Sequence, residues 1–325
     1  MDNRIRNLGL RIKNNRNPYL LILLFVLLIP QLVFASHCFA AKKTIGVIMT
    51  GDIPYYRDME NAFVSKLSRD GYLDNVDIII QRPYPDPISL SNAARKLIAL
   101  DVDIIVAYGA PAVIAVLREK TTIPVVYTGV YEPLTLKIRA KNITGTSSRI
   151  SISSLLRYLK GMRTITTLGV IYSTNEEDSI YQMEELLRFS NQYGFKIEKI
   201  NLRRPQDAKL LLSGKRFDAI FITTSSIANM ASYSIMDFSR DYRIPTASLL
   251  PDNALHAIIT LYASPKELGG KAAEKVIKIL NGTPPGRIQA DSSSNTELVF
   301  NLKETVVMGL RIPMELTTEA TKLIQ

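Results

Sequence analysis

"TIGVIMTGDIPYY", residues 44–56, is a short β-branched, apolar run that gives way to a polar, turn-rich loop, and "TLGVIYSTNEEDS", residues 167–179, repeats the scheme. Thr44, Gly46, Val47 and Ile48 recur as Thr167, Gly169, Val170 and Ile171, and Gly71-Tyr72 recurs at the same offset as Gly194-Phe195. The correspondence continues with Asp103-Ile104 against Asp218-Ala219 and Ile123-Pro124 against Ile244-Pro245. Either two halves of the chain share one plan, or two Rossmann-like segments share a generic strand-helix-strand pattern.

Outward from each motif the chain alternates strand and helix. "YYRDMENAFVSKLSRDGY" sets Met59, Ala62, Phe63, Lys66 and Leu67 at helical spacing and stops at Gly71. "VDIIIQ", "DIIVAYG" and "IPVVYTG" read as buried strands, with helices in "SLSNAARKLIALD" and "PAVIAVLREK", the latter with proline in its first turn, where that residue is tolerated. The second half follows suit: strands "FKIEKINL", "FDAIFITT" and "IPTASLL", and helices "DSIYQMEELLRFSNQYG", "PQDAKLLLSG" and "SIANMASYSIMDFSRDY". A helix over "PKELGGKAAEKVIKIL", a strand "ELVFN" and a final helix "MELTTEATKLI" close the chain. Near-continuous apolar strands between amphipathic helices predict parallel sheets covered on both faces. The fold class is therefore α/β, with two doubly wound parallel-sheet lobes facing across a ligand cleft, since ligands of such sheets sit beyond the carboxyl ends of the strands.

Length agrees with this: 325 residues fill one large core or two medium ones, and 46% apolar with 22% charged residues is ordinary globular composition. The first 40 residues read as a separate element. A stretch with Arg4, Arg6, Arg11, Lys13 and Arg16 against Asp2 leads into an apolar run ended by Pro30 and Gln31, then into small residues around Cys38 and Ala40. That is the order of a secretory signal peptide, and the apolar run is too short to span a membrane. The expectation is export to the periplasm with cleavage after Ala40, in preference to a retained anchor or a lipid on Cys38, which His37 disfavours. The mature chain then has no cysteine and one histidine, His256. The leader carries +4 of the formal net charge of +10, and the remaining basic balance shows no Lys/Arg cluster with interleaved aromatics, so nucleic acid is not an expected partner.

From Thr44 to Ile324 the chain resembles the substrate-binding proteins of ABC transporters with the type I periplasmic-binding fold, in the family that includes binders of tryptophan and other aromatic amino acids. "DIIVAYGAPAV", "IPVVYTGVYEP", "NITGTS", "LGVIYSTNEEDS", "PKELGGKAAEKVIKILNGTPP" and "FNLKETVVMGLRIP" carry the resemblance through their order along the chain. It implies a monomeric two-lobed receptor that closes on a small molecule by hinge motion and presents it to a membrane permease. It also implies lobe 1 over 41–148 with about 262–282 returning to it, and lobe 2 over 149–261 with part of 283–325. Ala110 stands where the family tends to have threonine, Glu132 where it has aspartate, and Ser173 where it has asparagine.

Candidate ligand contacts come from the loops at the strand ends. In the first half these are Asp52, Tyr55, Tyr108, Gly109, Ala110 and Glu132; in the second, Tyr172, Glu176, Ser179, Ser225, Asp252 and Asn253. The helix start at 109–111 offers free amides and a positive dipole end to a carboxylate. An ammonium would meet a cleft acid, Asp252 in preference to Glu132, and loop tyrosines would wall an aromatic side chain. The competing readings are a ligand-binding sensor for a separate signalling partner and an exported α/β enzyme. The motif inventory argues against the enzyme: Gly-x-Ser-x-Gly and the dinucleotide fingerprint are missing, and no cluster has metal-ligand spacing, so no cofactor or metal is expected.

Overall fold

The structure, a computed structural model, describes residues 42–252 and 257–325. The expected leader with its cleavage after Ala40, and also Asn253 and His256, lie outside the described residues.

Strands β1 (Lys43–Met49), β2 (Val76–Gln81), β3 (Ile104–Tyr108), β4 (Val125–Val130) and β5 (Ile143–Ser147) form a parallel sheet in the order β2-β1-β3-β4-β5. Helices α1 (Pro54–Arg69), α2 (Pro87–Ala99) and α3 (Ala110–Arg118) connect the first four strands. The second lobe repeats this: β6 (Thr167–Tyr172), β7 (Lys196–Asn201), β8 (Ala219–Ile222), β9 (Thr246–Ser248) and β10 (Ile259–Ala263) pair in the order β7-β6-β8-β9-β10, also parallel. Its helices are α4 (Ile152–Met162), α5 (Glu177–Tyr193), α6 (Asp207–Leu212), α7 (Ser226–Met230) and α8 (Ser232–Tyr242).

The repeated motif therefore marks the corresponding strands β1 and β6. The recurring aspartates have a shared task. Asp103 accepts from the Thr44 amide at 2.8 Å, and Asp218 accepts from the Thr167 amide at 2.8 Å, each fixing the start of the strand on the neighbouring loop. The recurring prolines do the same on the other side, because Pro124 and Pro245 lack a donor but offer carbonyls to the amides of Ile105 and Ile220.

The lobes exchange helices. After β5 the chain crosses so that α4 packs on β9 and β10, and after β10 it returns as α9 (Pro265–Leu280), which packs along α1 and over β4 and β5. Gly269 permits that second crossing, because a Cβ there would press into the Met59 carbonyl and sit 2.9 Å from the Ala62 Cβ. A third crossing follows β11 (Asp291–Ser292), which edges the first sheet beside β5; β12 (Thr296–Asn301) then pairs antiparallel with β10. Short helices α10 (Leu302–Val307) and α11 (Met314–Thr317) precede β13 (Lys322–Ile324), which is parallel to β12.

Burial follows the layers. Ile48, Ile105 and Ala107 point to α2 and α3; Ile171, Ile220 and Ile222 point to the α6–α8 side. A third cluster holds Val47, Met49 and Val106 together with Val170 and Phe221, so apolar packing is continuous from one lobe to the other.

Three details depart from the sequence reading. The final helix is only α11: Thr321 docks on β12 by donating its amide (2.8 Å) and hydroxyl (2.9 Å) to the Leu298 carbonyl, and the residues after it continue as strand β13. The helix expected over 226–242 breaks at Ala231, with Asn229 tied to the Pro251 carbonyl at 2.9 Å. The strand-helix alternation also passes over β5 and α4, which lie where the chain changes lobes.

Candidate functional site

The carboxyl ends of both sheets meet at a seam built from the loops after β1, β3, β4, β6 and β8. Thr50, after β1, donates its hydroxyl to the Tyr108 carbonyl (2.9 Å) and accepts from the Ala112 amide (3.1 Å), tying the β1 loop to the start of α3. Gly109 precedes that helix at φ +83°, ψ 155°, a conformation open essentially to glycine, and a Cβ would lie 2.9 Å from the Thr50 hydroxyl and overlap the Tyr56 phenol. After β4, Tyr131 and Glu132 turn inward and are buried.

From the second lobe, Glu176 and Asp178 project at the start of α5. Glu176 accepts from the Ser225 hydroxyl (2.5 Å) and from the amides of Ser226 (2.7 Å) and Ile227 (3.2 Å), which leaves its carboxyl satisfied at the start of α7. Ser226 in turn donates across the seam to the Thr50 carbonyl at 2.6 Å. Asp178 reaches into the first lobe: it accepts from the Tyr131 amide at 3.1 Å, and the nearby amides of Ala110 and Glu132 also favour its ionised form. Tyr131 answers by donating its phenol to Glu185 of α5 at 3.1 Å and packing its ring 6.0 Å from Tyr181.

These acids have no cationic partner: among the described residues neither Glu176 nor Asp178 forms a salt bridge with lysine or arginine. Arg118 faces Glu177 at 3.6 Å and Arg149 pairs with Glu132. Burial pushes Glu176 up to about 7 against its hydrogen bonds from Ser225, Ser226 and Ile227, and pushes Asp178 up to about 7 against those from the amides of Tyr131, Ala110 and Glu132. Tyr56 is buried near them, and its phenol is driven upward by burial, then by Glu176 and Asp178.

The candidates from sequence divide accordingly. Gly109, Ala110, Glu132, Glu176 and Ser225 are brought together at the seam. Ser179 lies behind it, accepting from the Ser173 amide at 3.0 Å and sharing a 2.7 Å hydrogen bond with Thr223, which closes the β6 and β8 loops on each other. Glu132 has its carboxylate on Arg149 and is already paired. Asp52 is exposed and held in a two-pronged pair with Arg57 at 2.6 and 2.7 Å, which keeps its carboxyl below the usual range. Tyr55 donates to the Ala263 carbonyl at 3.0 Å, at the second crossing, and Tyr108 is fully buried in the first lobe. Tyr172 packs half-buried on the second lobe's core. Asp252 stands with Asp52, Asn229 and Tyr233 around a recess of about 100 Å³ between the lobes.

Sequence reasoning missed Asp178 and Gln182. Asp178 reads in sequence as an ordinary first-turn acid on the positive end of a helix. The available signal is periodic: Asp178, Gln182 and Glu185 recur at i, i+4 and i+7, a polar stripe on a helix whose Met183 and Leu186 are core. Gln182 uses its carbonyl on the Thr224 amide (2.8 Å), and its buried amide nitrogen has no partner.

A family model described as "ABC transporter substrate binding protein" matches residues 45–324. The chain belongs to that family. Its members are substrate-binding proteins rather than enzymes. This substrate-binding protein is 24% identical over 272 residues to a "Tyrosine-binding protein" of Clostridioides difficile (strain R20291), covering 80% of this chain and 79% of the relative. Among solved structures it resembles a conserved domain protein from Vibrio cholerae O1 biovar El Tor (TM-score 0.83, 20% identity, 87% and 99% of the two chains). It also resembles an ABC domain from Streptococcus pneumonia in complex with L-Trp (TM-score 0.79, 19% identity, 87% and 100%). These likenesses give the substrate-binding protein the type I periplasmic-binding fold. Among its described residues no helix is long and apolar enough to cross a membrane.

Proposed function

We propose that this protein is an exported receptor that captures a small molecule, an amino acid with an aromatic side chain preferred, and delivers it to an ABC transporter permease. The observation that carries this reading is the seam: strand-end loops of two lobes meet there over buried carboxylates and backbone amides, groups suited to the two charged ends of an amino acid. Tyr56, Tyr131 and Tyr181 border it and suit an aromatic side chain. A relative named for tyrosine binding and a fold neighbour holding L-Trp support the same class. In this reading the receptor works as a monomer, and closure of the lobes reports occupancy to the permease.

Thermal unfolding of the purified chain against a panel of amino acids, polyols and sugars tests the proposal. Ligand at a hundredfold over its Kd adds about 2.7 kcal/mol, so L-tyrosine or L-tryptophan raises the midpoint by several degrees. Stabilisation by a polyol or sugar with none by any amino acid would overturn the assignment.

A further inference from the structure

Three backbone amides on the first lobe, those of Ala110, Tyr131 and Glu132, converge on the carboxyl of Asp178 from the second. Ala110 opens the nine-residue helix α3, so the positive end of its dipole points the same way. This is a seat for a carboxylate, and the structure fills it with the protein's own. Asp178 is buried without a cation, as is Glu176 two residues before it. A buried carboxylate held by hydrogen bonds alone retains an unmet demand for positive charge. Gln182, one turn along α5 from Asp178, adds a buried amide donor with no partner.

We infer that Asp178 is a built-in stand-in for the ligand's carboxylate: it occupies the seat at Ala110, Tyr131 and Glu132 when the receptor is empty, and becomes the counter-ion of the ligand's ammonium when the receptor is loaded. The inference rests on the amino-acid reading and deepens it. An incoming zwitterion inserts in series between the two halves of the seam. Its carboxylate takes the three amides, which it binds with the same chemistry Asp178 uses. The displaced Asp178 then faces the adjacent ammonium and gains the opposite charge it lacks. A ligand with only a carboxylate evicts Asp178 and offers nothing in return, leaving a buried acid unpaired. A ligand with only an ammonium leaves the seat to be contested. Specificity for α-amino acids over their deaminated or decarboxylated analogues follows from Asp178, whereas Asp252, beside the recess between the lobes, is not needed for it.

Asp178→Ala and the near-isosteric Asp178→Asn test this on the full processed chain. Two measurements are made: the ligand-free radius of gyration by small-angle scattering, and calorimetric affinities for L-tyrosine and for 3-(4-hydroxyphenyl)propionate, which lacks the amino group. The ligand-free Asp178→Ala protein is expected to be more open than wild type, since its seat is empty. Its affinity for L-tyrosine falls at least tenfold, while its affinity for the deaminated acid stays level or rises, because no carboxylate competes or is stranded. Asp178→Asn keeps an acceptor for the amides, so it stays nearer the wild-type radius yet loses the zwitterion preference; it also guards against misfolding of the alanine variant. Equal radii for wild type and Asp178→Ala, or parallel losses for both compounds, would overturn the role of Asp178 and leave the amino-acid reading standing. A wild type that binds no amino acid overturns that reading instead, and the scattering comparison still decides whether Asp178 holds the empty lobes together.

Discussion

Raising the pH from 5 to 8 is expected to destabilise the ligand-free protein, and the reason lies in the two buried seam acids. Burial raises Asp178 from its ordinary 3.8 to about 7 and Glu176 from 4.5 to about 7. Both therefore hold a proton more tightly in the folded chain than in the unfolded one. Below the unfolded values both states are protonated, and the folded state's preference for the neutral acid is fully present. As pH climbs past 4 the unfolded chain releases its protons first, and stability declines until the folded groups ionise near 7. Between pH 5 and 8 each group costs about 2–3 kcal/mol on this linkage. For a chain of this size that lowers the melting midpoint by roughly 3–5 °C per group. Scanning calorimetry at constant ionic strength on wild type, Asp178→Asn and Glu176→Gln is the assay. Each variant carries no ionisable group at its position and should flatten the slope; differences from wild type remove what other groups contribute in the same window. A wild-type midpoint that is flat or rising from pH 5 to 8, or variants that keep the full slope, would refute the claim that these carboxyls are buried without a counter-charge.

Gly109→Ala forces a side chain into a glycine-only conformation against Tyr56 and Thr50, and is expected to cost about 1–3 kcal/mol in denaturant unfolding along with ligand affinity; a neutral effect on both would show that the α3 start is not fixed as described. Gly269→Ala drives a methyl into the α1 backbone at Met59, and overpacking there should cost about 1–3 kcal/mol by chemical denaturation, whereas Gly270→Ala beside it, with open space around it, should cost nothing and serves as the control. Asp218→Ala removes the acceptor shared by the amides of Thr166 and Thr167 and should lower stability by about 1.5–3 kcal/mol, with Asp103→Ala losing a similar amount in the first lobe if the two strands are built alike. Asp252→Asn should change the affinity for L-tyrosine by less than about threefold in calorimetry, well under the roughly tenfold that a lost charge pair near 1.4 kcal/mol would produce; a tenfold loss would return Asp252 to the ammonium.

The sequence by itself determined the alternation of buried strands and covering helices, and with it two parallel-sheet lobes, because that outcome is local: a β-branched run with no polar break has to be covered on both faces. The internal match at residues 44 and 167 also had a common cause, since each of those strands is pinned at its start by an aspartate and its neighbour β3 or β8 by a proline carbonyl. Loops at the strand ends were legible as the place to look, and Glu176, Gly109 and Ala110 were picked out there. Which of those groups are free was decided only in three dimensions. Asp52 is neutralised by Arg57 within its own loop and helix, Glu132 by Arg149 seventeen positions on, and Tyr55 is spent on a carbonyl 208 positions away. Asp178 is the converse case. In sequence it is one of three acids in a row at a helix start, where solvent is the usual neighbour; its hydrogen-bond partner is the Tyr131 amide 47 positions earlier, brought to it only because the chain crosses between the lobes and sets the two sheet ends face to face. Pairing and burial of charge depend on such long-range closure, and no window of sequence contains the distance that decides them.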